Sequence, residues 1–154
     1  MQFLFETEPY VKRNNDFKTP SWDQVVELVD FCFNNNQPYK DNGNYGLVLH
    51  NAERIPEVQT VIEAIRKDHP LALGIDAHVY MSLSSRSKTF GRHNDDVDVF
   101  FWQCYGSTRW VVEGSQKVAS TLNPGDIIYI PKQQYHNTVP ISARFGISFG
   151  VYYE

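Results

Sequence analysis

The 154 residues are 42% apolar and 14% aromatic with 21% charged, a balance that fits one globular domain and excludes a disordered or low-complexity chain. Fourteen Lys and Arg against eighteen Asp and Glu leave a formal charge of −4, so no global positive field exists to hold a phosphate backbone. Runs such as Val97 to Trp102, broken by Asp98, fall far short of the ~20 apolar residues of a membrane span. The opening Met1 to Glu6 has no basic start and soon meets a carboxylate, so it does not read as a secretory signal; a soluble, cytoplasmic protein is expected. Cys32 and Cys104 lie far apart with no C-x-x-C, which suits a reducing compartment and two buried thiols acting as small hydrophobes.

Helices are expected in the first third. Ser21 with Gln24 has capping-box spacing, and Trp22, Val25, Val26, Val29, Cys32 and Phe33 recur at three and four, predicting an amphipathic helix that ends at Asn34, Asn35 and Asn36. A second begins near Ile55 and Pro56, with Val58, Val61, Ile62 and Ile65 on one face and a stop at His69 and Pro70.

From about Tyr45, and continuously after Leu71, short runs rich in Val, Ile, Phe and Tyr alternate with Gly, Asn, Ser and Pro. Strands are predicted at 45–50, 73–83, 97–105, 109–113, 126–130 and 144–153, with turns at Gly106 and Ser107 and at Asn123 to Asp126. Many short strands and few helices predict a mainly β fold, a jelly roll of the cupin kind with about two packing helices in the N-terminal third. One domain is expected over 1–154, with N-terminal helices and edge strands in 1–70 and the β core in 71–154.

Of the histidines at 50, 69, 78, 93 and 136, His93 alone opens a His-x-carboxylate pattern, with Asp95. Residues two apart on a strand share a face, so one imidazole and one carboxylate can meet a single ion. His136 follows an apolar strand and the loop from Pro131 to Tyr135, where a third ligand can return to the barrel mouth. Two imidazoles and a carboxylate on one triangular face suit Fe(II) in oxygen-activating enzymes. Taken alone, the H-x-D tripeptide is weak, and a lone His is more often structural.

The run from His93 to Phe100, then Gln103, Gly106 and Trp110, followed by Leu122 to Asp126, Tyr129, Ile130, Pro131 and His136, resembles the core of JmjC and cupin-like Fe(II)/2-oxoglutarate-dependent oxygenases, especially the ribosomal protein hydroxylases. The resemblance covers about residues 76 to 150. It implies a double-stranded β-helix with His93, Asp95 and His136 as catalytic iron ligands, 2-oxoglutarate as cosubstrate and O2 as oxidant. The chain is much shorter than those hydroxylases, and their C-terminal dimerisation and winged-helix regions are not expected within these 154 residues.

One position departs from that pattern. The family places a Lys or Arg two residues before the strand's Trp to bind the distal carboxylate of 2-oxoglutarate, and here Thr108 stands there, with Arg109 expected to face the other way. On the last strand, Arg144, Gly146 and Ser148 share a face, with Gly146 leaving space between a guanidinium and a hydroxyl. The segment resembles the end of the prolyl-hydroxylase core, which implies a carboxylate clamp by Arg144 and Ser148; the bland reading of Arg144 is a surface cation paired with a carboxylate. His78 and Tyr80 share a face of the strand before the metal motif, and His78 resembles by position an Asn of the cosubstrate pocket, against the plainer reading of a core histidine.

Arg86, Lys88 and Arg92 form a basic rim or a solvated loop, Asp96 and Asp98 pair with it or orient metal ligands, and Phe100, Phe101, Trp102, Tyr105 and Trp110 are expected to pack the barrel. The leading expectation is an Fe(II)- and 2-oxoglutarate-dependent hydroxylase acting on a protein side chain, nucleotide or metabolite. A metal-dependent cupin dioxygenase or isomerase without 2-oxoglutarate, and a non-catalytic cupin binding module, are the alternatives.

Overall fold

The computed structural model describes residues 1–154. The chain runs through β1 (Tyr10–Lys12), α1 (Trp22–Asn34), β2 (Tyr39–Gly43), β3 (Gly46–Leu49), α2 (Pro56–Asp68) and then β4 (Gly74–Ser82), β5 (Asp98–Tyr105), β6 (Thr108–Val112), β7 (Val118–Leu122), β8 (Ile127–Ile130), β9 (His136–Pro140) and β10 (Arg144–Tyr152). Seven strands form one sheet in the order β1-β8-β5-β10-β4-β3-β2, and three form a second in the order β7-β6-β9. Neighbours such as β10 with β4 and β5 with β8 are antiparallel and distant in sequence, the pairing of a jelly roll, here a double-stranded β-helix.

The helices form where the capping and periodicity require. In α1 the Gln24 amide donates to Ser21 Oγ (3.2 Å) while the Ser21 amide donates to Gln24 Oε1 (2.8 Å), a complete capping box. Val25, Leu28 and Cys32 are buried, but Val26 and Phe33, expected on the same face, are 59% and 55% exposed. Each follows a buried residue by one position, about 100° further around the helix, which turns it off the stripe. In α2 Val58, Val61, Ile62 and Ile65 are all buried.

Strand alternation divides the interior in two. Phe100, Trp102 and Cys104 of β5 join Ile147, Phe149 and the helix residues in a large core outside the seven-stranded sheet, whereas Val99 and Phe101 join Trp110, Val112, Leu122, Ile128 and Ile130 between the sheets. Both cysteines are free and buried, and Tyr105 is exposed, unlike the other aromatics of its strand.

The six predicted strands exist within a residue or two, but β1, β2, β7 and β9 were not anticipated. All four are edge strands. An edge strand pairs on one side only and can be short and polar, as in Tyr39–Gly43, or end in proline, as in His136–Pro140, so its hydrophobic alternation is faint.

Candidate active site between the sheets

His93 and Asp95 precede β5, and His136 opens β9. The two histidines are joined across the strands, with the His93 amide donating to the His136 carbonyl (3.0 Å) and the His136 amide to the His93 carbonyl (2.8 Å). Each ring is turned by a carbonyl two residues away: His93 Nδ1 lies 2.8 Å from the Gly91 oxygen and His136 Nδ1 2.9 Å from the Gln134 oxygen. A carbonyl only accepts, so each Nδ1 carries the proton and each Nε2 presents a lone pair.

Those Nε2 atoms converge on one carboxylate, His93 at 3.9 Å from Asp95 Oδ1 and His136 at 3.4 Å from Asp95 Oδ2. One ligand atom from each residue lies within 4.8 Å of the others, a spacing that fits a single metal ion. Burial, with the His93 charge adding to it, holds the His136 imidazole below its ordinary 6.5, which favours the neutral form that ligates metals.

The triad opens into a cavity that it shares with Tyr80, Phe101, Trp110, Arg144 and Ser148. Arg144 is only 3% exposed. Its Nε donates to Ser82 Oγ (3.0 Å) and its Nη1 to the Tyr80 carbonyl (3.4 Å), and no carboxylate lies within salt-bridge distance of it. The reading of Arg144 as a paired surface cation is thereby corrected. Burial lowers its pKa to about 10, so at neutral pH the cavity holds a positive charge that no carboxylate pairs.

Other expected residues fall in varied places. Tyr80 lines the cavity, its hydroxyl raised to about 12 by burial and by the nearby Asp95. Thr108 is fully buried on β6 but outside the cavity lining, and Arg109 beside it is exposed on the other face. His78 is neither pocket lining nor core. Its ring stacks on His50 (4.4 Å between centroids), 3.7 Å from an Asp76 oxygen. The space expected at Gly146 is filled, since a Cβ there would sit 2.3 Å from Cζ of Phe101.

Arg92 of the basic rim is bound to Glu113 (2.6 and 3.1 Å), while Lys88 is among the residues that line the cavity. Asp98 accepts from the Tyr129 hydroxyl (2.6 Å), and the atoms that orient the histidines are the Gly91 and Gln134 carbonyls. Sequence reading missed those carbonyls and Ser82. Ser82 carried a signal, because it lies two positions after Tyr80 on the same strand face.

The two-sheet jelly roll with a His/Asp/His set between its sheets is a double-stranded β-helix that carries a candidate metal site. Residues 48–121 match the JmjC domain model, a stretch that includes His93 and Asp95 and ends before His136 and Arg144. A "probable ribosomal oxygenase" of Haemophilus influenzae is 29% identical over 96 residues, 49% of this chain and 24% of its own length. The structure of YcfD, a ribosomal oxygenase from Escherichia coli, superposes with a TM-score of 0.71 at 21% identity, covering 93% of this chain and 47% of that one. The same protein in complex with cobalt and 2-oxoglutarate superposes at 0.70 and 19% identity, covering 94% and 48%. This chain thus spans less than half the length of these relatives. No helix is long and apolar enough to cross a membrane.

Proposed function

We propose that this chain is an Fe(II)- and 2-oxoglutarate-dependent hydroxylase, working as one domain in which 1–70 buttress the β core of 71–154. The observation that carries this reading is Arg144, a buried guanidinium without a carboxylate in the same cavity as three converged metal-ligand side chains. A buried charge is retained when something pairs with it, and a dicarboxylate spanning from the triad toward Arg144 supplies that partner.

His93, Asp95 and His136 would hold the iron, and Arg144 with Ser148 would hold the far carboxylate of 2-oxoglutarate. When bound, iron and 2-oxoglutarate supply the chemistry: O2 is reduced as the keto acid is decarboxylated to succinate and a substrate C–H bond is oxidised. The chain's own part is positional. The Gly91 and Gln134 carbonyls fix both imidazoles, Ser82 Oγ and the Tyr80 carbonyl aim Arg144, and Phe101, Trp110 and Tyr80 keep the wall largely dry. The likeness to ribosomal oxygenases supports a protein side chain as the prime substrate, and two free buried thiols are compatible with a reducing, cytoplasmic setting.

Thr108, at the position of the family's basic residue, favours a second reading in which a metal-dependent cupin works without 2-oxoglutarate. Anaerobic titration of the metal-free protein with Fe(II) and then 2-oxoglutarate separates the two. The first requires a visible metal-to-ligand charge-transfer band that fades with succinate release when oxygen is admitted; iron binding without that band transfers the assignment to the second.

A further inference from the structure

Three indoles are present, and Trp110 alone among them lines the cavity. It is 5% exposed, with its ring 5.9 Å from that of His136 and 4.8 Å from that of Phe101. Its Nε1–H is buried and has no acceptor in the protein. A buried donor left unpaired is costly, and such groups are rare in folded proteins.

The strand register gives this donor its place. On β6 the inward positions are Thr108, Trp110 and Val112, and on β9 their partners are Pro140, Thr138 and His136. Trp110 is therefore one inward step from the level of the triad's His136, toward the end of the barrel where the chain turns from Pro140 to Arg144. A ligand that runs from the triad to Arg144 passes this indole.

Resting on the hydroxylase reading, we infer that Trp110 Nε1–H is a hydrogen-bond donor to a carboxylate of bound 2-oxoglutarate, a positioning contact beside Arg144 and Ser148 in a site that lacks a cation at Thr108. Trp102 provides an internal contrast. Its Nε1 is equally without an acceptor, but its side chain lies in the outer core against Phe17 and is no part of the cavity.

The test is the indole N–H region of a nitrogen-15 NMR spectrum of the full chain, loaded with zinc as a redox-inert stand-in for iron and titrated with 2-oxoglutarate. The resonance missing from W110F identifies Trp110. The inference requires that this resonance move on binding while that of Trp102 stays. It further requires that W110F bind 2-oxoglutarate roughly 10- to 100-fold more weakly, with Fe(II) affinity kept, as for a lost hydrogen bond to a charged group. An unmoved Trp110 resonance in a protein whose iron form gives the charge-transfer band overturns the inference and leaves the hydroxylase reading intact. Absence of both band and shift overturns the two together. Where W110F packs poorly, the resonances missing from W22F and W102F assign that of Trp110 by elimination, and the wild-type titration decides the matter.

Discussion

Arg144→Met exchanges the buried cation for an apolar chain of similar reach. The fall in the guanidinium pKa from 12.5 to about 10 corresponds to roughly 3 kcal/mol against the charged form at this site. The change also removes two charge-assisted hydrogen bonds, to Ser82 Oγ and the Tyr80 carbonyl, each worth ~1.5 kcal/mol, so loss and gain offset and the ligand-free variant should match the parent to within ~1 kcal/mol. For a domain of this size that is a difference of no more than about 4 °C in melting temperature. Thermal denaturation without 2-oxoglutarate reads it directly. With zinc and 2-oxoglutarate at about a hundred times its dissociation constant, the parent should gain ~2.7 kcal/mol from the dicarboxylate and the variant almost nothing, so the two separate. A ligand-free variant that melts more than about 10 °C below the parent would refute the reasoning, because Arg144 would then be a strut of the fold and not a charge waiting for an anion.

Asp95→Ala removes the carboxylate on which both imidazoles converge, and calorimetric titration with Co(II) should show affinity down by more than roughly 100-fold with the circular dichroism spectrum unchanged. Near-parental affinity would remove Asp95 from the metal set. Gly146→Ala places a Cβ against the Phe101 ring and should cost ~1–3 kcal/mol in urea denaturation; a neutral result would mean the ring relaxes freely. Burial holds His78 and His136 below the ordinary 6.5, so the unfolded chain takes up their protons first as pH falls. The metal-free protein should therefore lose stability from about pH 6.5 downward until the lowered folded-state values are passed, and His78→Gln should flatten that slope. An unchanged slope in melting temperature across this window would show that burial of His78 is not felt.

Much of this architecture was legible along the chain. The apolar stripe of Val58, Val61, Ile62 and Ile65 and the Ser21 capping box act within a few residues, so local pattern sufficed. The inner strands were legible because both faces are covered and their apolar runs are dense, as in Val99 to Cys104. Edge strands were not, since half of their hydrogen bonding faces solvent and little hydrophobic area is required of them. His93 and Asp95 were found by spacing and His136 by its place after a strand. Their shared ion site rests on a cross-strand pairing of residues 43 positions apart, which no local pattern encodes.

What the sequence by itself determined was the inventory: a mainly β chain with two helices, one His-x-Asp pair, a distant His and an Arg-x-Gly-x-Ser strand. Tertiary structure decided what the inventory means. It buried Arg144 without a carboxylate, filled the room at Gly146 with Phe101, sent His78 to a stack with His50, and left the Trp110 indole without an acceptor beside the triad. Burial and charge pairing are properties of neighbours brought together from afar, and a side chain's chemistry is set by those neighbours more than by its own position in the chain.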